Sequence, residues 1–269
     1  MRFTLMRILG ALLAALTMLG VGGGATSSAD GPLPADQIVF MVSSGGGLVP
    51  PVVYALESPS LVIYGDGRIL SMVRDNNTPG AVPARYQLTQ TDPVAVASFA
   101  SWVQSRGIID SAKDFGQPSV TDMDGTTVLV HGEGAPAKVS VYAFHDEFDK
   151  YVTPAQQQAR AALREVVDAG MSLAAAGPPI PYSPDRVVVY DVGLGYGDRK
   201  ATAVWPGPPP DSFLTPSNQG RSVACGYLTG APATAAYDAA LDNPGALWLV
   251  DGTTRVLAVN PFPLADSCP

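Results

Sequence analysis

The stretch Gly177 to Pro184, "GPPIPYSP", constrains this chain more than any other. Pro178, Pro179, Pro181 and Pro184 each lack a backbone N–H and fix φ, so no helix interior and no inner strand can run through them. The 269 residues must therefore be organised on either side of it. We take 177–185 as a linker between a region spanning 30–176 and a smaller one spanning 186–269, a division that suits the length. A second proline-rich stretch, "PGPPPDSF" at Pro206–Phe213, reads as a long surface loop inside the second region.

Before the linker the pattern predicts an antiparallel sheet with two helices. The apolar runs Gln37–Val42 and Val52–Leu56 belong to the sheet, and Leu61–Tyr64 and Arg68–Val73 flank a short turn. The first helix starts at Asp92, an N-cap, with Pro93 in the first helical position. Val96, Phe99, Ala100 and Val103 then share one face, and Gly107 ends the helix. Thr153, Pro154 and Gln156 spell a capping box for the second helix. Its stripe is Ala159, Ala162, Leu163 and Val166, with Gly170 as the expected stop unless "MSLAAAG" extends the helix. Thr127–Val130 and Val139–Tyr142 read as a strand pair.

After the linker, Arg186–Val192, Ala201–Trp205 and Ser222–Tyr227 read as strands, and "TAAYDAALDNPG" as a short helix closed by Asn243-Pro244-Gly245. Leu247–Val250 and Arg255–Val259 are expected to form a last hairpin. Strands grouped with a few helices point to an α+β fold: an antiparallel sheet with packed helices, followed by a smaller β-rich α+β region. "YGDG" and "YGDR", each followed later by "DGTT", echo one another, but Asp-Gly turns are so favoured between strands that duplication is not required.

The N-terminus has the form of a secretory signal peptide over 1–29. Arg2 and Arg7 precede the apolar run Ile8–Val21, and Ser27-Ser28-Ala29 suits cleavage before Asp30. The alternative, a membrane anchor, needs about 20 apolar residues, and this run is well short of that. The rest of the chain holds no stretch able to span a membrane, so none is expected once the signal is removed. The formal net charge of −8 becomes more negative without Arg2 and Arg7. An acidic surface is repelled by nucleic acid and by anionic headgroups, so neither is expected as a partner. Two cysteines in an exported chain, Cys225 and Cys268, read as a disulfide that closes a long loop and contributes about 4 kcal/mol by chain entropy.

The sequence offers several places for chemistry, each with a plainer explanation. Gly45-Gly46-Gly47 resembles a phosphate cradle, but such a loop opens directly into a helix. Here Leu48-Val49-Pro50-Pro51 follow, so the glycines are expected to serve a sharp turn or a close backbone approach. Asp66-Gly67 reads as a hairpin turn, and "GLGYGDR" at 193–199 lacks the following helix that a dinucleotide site requires. Asp122, Asp124 and Glu133 match three positions of a calcium loop, but the residues between them form a strand. "HDEFD" at 145–149 is the densest cluster. His145 with Asp146 or Glu147, joined by His131 across the predicted strand pair, makes a conceivable two-histidine metal site, set against a solvated acidic loop leading into the second helix. "GRSVA" around Ser222 is a broken hydrolase motif, and "DFG" at 114–116 stands alone. Trp102, Trp205 and Trp248 are assigned to the core rather than to sugar stacking. No cofactor is implied.

Taken together, "SGGGLVP" (Ser44–Pro50), "YGDGR" (Tyr64–Arg68), "DFGQPSVTD" (Asp114–Asp122), "VYAF" (Val141–Phe144) and "NPFPLADSC" (Asn260–Cys268) resemble a set of exported actinobacterial proteins of the mycobacterial type. The resemblance runs over nearly all of the chain beyond the leader. It implies a signal peptide, a β-rich body and a terminal cysteine pair, and it carries over no catalytic residue. The tail departs from the proline–leucine–leucine–proline–acidic ending of that set. The expectation is a secreted or cell-envelope protein that binds an envelope or extracellular partner without catalysis. The alternative is an envelope hydrolase using paired carboxylates, metal-assisted near His145.

Overall fold

A computed structural model describes residues 33–73, 82–193, 199–216, 224–262 and 268. The leader at 1–29, the glycine-alternating stretch around 194–198 and Ser222 lie outside them. The fold is α+β, with a large antiparallel sheet and several helices.

The first region contains β1 (Ile38–Gly45), α1 (Pro51–Ala55), β2 (Pro59–Tyr64), β3 (Arg68–Val73), β4 (Arg85–Gln90), α2 (Pro93–Arg106), β5 (Gly125–Val130), β6 (Ala137–Tyr142), α3 (Pro154–Ala174) and β7 (Ile180–Pro181). Its strands form one seven-stranded sheet in the order β6-β5-β1-β2-β3-β4-β7, antiparallel throughout. The proline-rich stretch thus supplies an edge strand, the one kind of strand position that tolerates proline.

Both long helices form for reasons written in their first turns. Asp92 accepts the Val94 N–H at 2.9 Å, and Gly107 closes α2 in the left-handed conformation. Thr153 and Gln156 make the reciprocal capping box of α3. The two helices cover one face of the sheet. Val96, Ala100 and Val103 of α2 and Leu163 and Val166 of α3 meet Phe40, Val42, Leu61, Ile63, Val128 and Val141. Each such side chain taken out of water stabilises the fold by about 1.5–3 kcal/mol before the entropy of ordering it is subtracted.

Two expectations for this region need correction. Gly170 does not stop α3, which takes the alternative course and runs on through "MSLA" to Ala174. Instead Gly170 is buried in the helix where a Cβ would come within 2.9 Å of Phe40, so the glycine serves close helix–sheet packing. Val52–Leu56 is not a strand but mostly the five-residue helix α1, entered through Pro51 in the first turn, where the missing N–H has no helical partner to lose.

The second region contains β8 (Arg186–Asp191), β9 (Ala203–Val204), β10 (Thr215–Pro216), β11 (Ala224–Thr229), α4 (Ala231–Asp242), β12 (Trp248–Val250), β13 (Thr253–Arg255) and β14 (Leu257–Asn260). A four-stranded antiparallel sheet, β10-β11-β8-β14, stands beside a three-stranded one, β13-β12-β9. The expected last hairpin is therefore divided. β12 pairs with β13, and after Val256 the chain changes sheets so that β14 pairs with β8. One face of β8-β11-β14 packs on α4 and on Trp205 and Trp248, whose rings meet edge to face at 5.4 Å. The "PGPPPDSF" stretch lies against this core, with Pro210 buried and the Trp205 indole N–H donating to the Pro208 carbonyl at 2.9 Å.

The opposite face of that sheet meets the first region. Val188, Tyr190 and Ala258 pack with Val52, Ala55 and Leu56 around the Cys225–Cys268 disulfide. Asn260, 1% exposed, stitches the two regions together. It accepts from Ser58 Oγ at 2.7 Å and from the Phe262 N–H at 2.8 Å, and its amide donates to the carbonyls of Ala55 and Glu57, both at 2.9 Å. The Tyr237 hydroxyl adds a bond to the Ala84 carbonyl at 2.8 Å.

Candidate functional site

The register of the β5–β6 pair decides the fate of the two histidines. Gly125 pairs with Tyr142 and Val130 with Ala137, so His131 follows β5 at the turn end while His145 follows β6 at the opposite end. Six residues of strand, roughly 20 Å, separate them. The two-histidine site is therefore not formed: both residues follow strands of one hairpin, but antiparallel strands end at opposite ends. Among the described residues no three His, Cys, Asp or Glu side chains cluster as metal ligands. His131 lines a shallow, open depression of about 690 Å³ with Asp36, Ile38, Met41, Leu129 and Pro136. His145 instead sits with Nε2 2.9 Å from Asp124 Oδ1 and its ring edge-to-face on Phe148.

The acidic cluster after His145 is held by two arginines of α3. Asp146, Glu147 and Asp149 lie in a short 3-10 turn, Asp146–Tyr151. Arg160, fully buried, reaches Asp149 Oδ1 through Nε at 2.6 Å. Its remaining N–H groups donate to the carbonyls of Phe115 (3.4 Å), Tyr142 (3.3 Å) and Ala143. Arg164 holds both oxygens of Asp149 at 2.8 Å and Asp146 at 2.7 Å, and both guanidinium groups lie over the Phe144 ring. Burial pushes the Asp149 carboxyl up, but hydrogen bonds and charge from Arg164 and Arg160 outweigh it, so the group ionises below the usual carboxylate range. Ala143 adopts φ +47, a conformation that disfavours side chains. Its N–H donates to the Asp124 carbonyl at 2.9 Å while its carbonyl accepts from Arg160. The buried arginine thus fixes the turn that brings His145 to Asp124. Sequence reasoning overlooked Arg160; the signal was present as two arginines at i and i+4 just after an acidic cluster.

The glycine loop is filled from within. Gly46 and Gly47 take φ of +95 and +75, and the Gly46 N–H donates to Glu57 Oε1 at 2.7 Å. A Cβ on Gly45 would lie 2.4 Å from Glu57 Oε2, and one on Gly47 would lie 2.7 Å from the Asp122 carbonyl. The space beside the loop belongs to the chain's own carboxylate and backbone. Asp66 and Gly67 form the β2–β3 turn, with Gly67 at φ +88 and Asp66 accepting from the Arg68 N–H and Nε. Trp205 and Trp248 are buried and Trp102 packs against the first core.

A different concavity emerges where the two regions meet. A partly enclosed crevice of about 110 Å³ opens between α1, the end of α4, β12 and β14. Val52 of α1, Leu56 just after it, Ala240 of α4, Ala246, Trp248 of β12 and Leu257 to Val259 of β14 line it. Its polar groups are few. The Trp248 N–H is spent on the Leu257 carbonyl at 3.0 Å, and the Asn243 amide donates to Ala239 at 2.8 Å. Arg199 is the one charged residue among the described lining. Nothing local in the sequence marks this place, because its walls come from segments spread over the whole chain.

Among the described residues no helix is long and apolar enough to cross a membrane. Comparison with protein-family models, with curated proteins and with solved structures finds no match.

Proposed function

We propose that this is a secreted or cell-envelope protein that acts by binding a small apolar molecule in the crevice between its two regions, without catalysis of its own. The observation that carries the reading is the crevice itself: a small, partly enclosed concavity where the two regions meet, lined mainly by apolar side chains and by few polar ones, which suits a ligand smaller than most. The acidic cluster supports it from the other side, because Asp146 and Asp149 are engaged by Arg160 and Arg164. Export is supported by the form of the leader and by the disulfide, which belongs to oxidising compartments. The test is retention of small molecules from an envelope extract by the purified protein, read by mass spectrometry. Compounds held by the wild type and lost by Ala246→Leu, which fills the crevice from a half-exposed position, support the reading; the same compounds held by both refute it.

One observation favours a second reading, a hydrolase using acid–base groups near His145. The Asp124–His145 pair combines a carboxylate and an imidazole at hydrogen-bonding distance on a partly exposed surface. That reading predicts turnover of ester or glycoside substrates that His145→Gln abolishes while crevice binding persists.

A further inference from the structure

We propose that the crevice selects a carboxylate: its ligand is a small apolar acid whose hydrocarbon end enters between α1 and β14 and whose carboxylate meets Arg199. The inference rests on the binding reading above and adds the chemical class of the ligand. Three observations lead to it. The first is charge. The chain carries 24 acidic and 16 basic residues, and Arg68, Arg106, Arg160, Arg164 and Arg255 each hold a carboxylate. Arg199, an exposed residue of the crevice lining, forms no ion pair among the described residues. Arg85 and Arg186 likewise form no ion pair among the described residues, but of the three only Arg199 lines the crevice, where its guanidinium can meet an external anion.

The second observation is the state of the other polar groups. The indole N–H of Trp248 is spent on a backbone acceptor and the Asn243 amide has one donor engaged, so the side-chain groups left for a ligand are the guanidinium and the rest of that one amide. A sugar or a peptide would bury hydroxyl or amide groups without partners, at a cost that apolar walls do not return. A carboxylate is satisfied by one guanidinium, whose planar fork matches it with two parallel bonds. Among the described residues no aspartate or glutamate lines the crevice to repel it.

The third is size. About 110 Å³ is smaller than the roughly 150 Å³ apolar cavity that accepts benzene, so the crevice admits a hydrocarbon of about three to five carbons and not a long acyl chain. Hexanoate, with a five-carbon tail, falls at the upper end of that range. So small a ligand is expected to bind with Kd of about 1 mM.

The experiment is an NMR titration of the purified protein with hexanoate, 1-hexanol and hexylamine. Hexanoate is expected to shift the signals of Val52, Leu56, Trp248 and Leu257. Hexanol should bind about fivefold more weakly, as an exposed guanidinium–carboxylate pair is worth, and hexylamine more weakly still. Arg199→Gln should bring hexanoate down to the level of hexanol, and Ala246→Leu should abolish binding of both. Hexanol binding as tightly as hexanoate, or undiminished hexanoate binding by Arg199→Gln, overturns the carboxylate assignment while leaving crevice binding intact. If neither probe shifts any crevice signal, both inferences fall.

Discussion

Replacing Asp149 by asparagine tests the account of the α3 arginines most directly. The substitution keeps the shape of the side chain and removes its charge. Arg160, with none of its surface exposed, is left as a buried cation whose remaining partners are the carbonyls of Phe115, Tyr142 and Ala143. Removing one partner of a buried ion pair costs about 3–5 kcal/mol. Asp149 is itself 22% exposed, and three carbonyls still receive the guanidinium, so the lower end applies, about 3 kcal/mol. For a chain of this size that lowers Tm by about 6–12 °C in calorimetry. Asp146→Asn provides the contrast. Its side chain is 85% exposed on Arg164, and the loss should stay within about 1 kcal/mol. Acid sharpens the test. Because Asp149 ionises below the usual carboxylate range when folded, its contribution is full above pH of about 4 and is lost as the pH falls through its folded value. The gap between wild type and Asp149→Asn should therefore narrow in acid. Equal, small losses from both variants, or a gap that widens as the pH drops, would refute the reasoning.

Three further outcomes are expected. Asn260→Ala strands the Phe262 N–H and the carbonyls of Ala55 and Glu57, and denaturant unfolding should show a loss of about 3 kcal/mol. Reducing the Cys225–Cys268 bond, or replacing both residues by serine, should cost about 4 kcal/mol, read as a lower Tm under reductant. Gly67→Ala forces a side chain into φ +88 with its Cβ 2.1 Å from the Thr91 carbonyl, and should destabilise by at least about 2 kcal/mol in the same assay.

Local chemistry made much of this fold legible. Asp92-Pro93 and Thr153-Pro154 mark helix starts because the capping partners lie within three residues. Asp66-Gly67 is readable because a tight turn depends on its own backbone angles. What failed depended on distant partners. Gly170 reads as a stop until Phe40 and Leu61 are seen against it. Val52–Leu56 has the branched residues of a strand, yet the preceding glycine turn and Pro51 commit it to a helical turn. His131 and His145 look like neighbours in the chain pattern until antiparallel register sends them to opposite ends. The crevice was illegible for the same reason in stronger form, since Val52, Arg199, Trp248 and Leu257 acquire a relation only through the docking of one sheet on the other.

That docking has a temporal side. The bonds of Asn260 to Ala55, Glu57 and Ser58 span 205, 203 and 202 residues, and contacts of such separation are among the slowest a chain can close. The first sheet can take shape while the later strands are still being made, whereas the hollow between the regions has no second wall until β14 arrives. If the crevice binds as proposed, it can do so only once β14 is in place. A molecule lodged there would act as a clasp on the newly closed joint, favouring the finished protein over its open precursor by mass action.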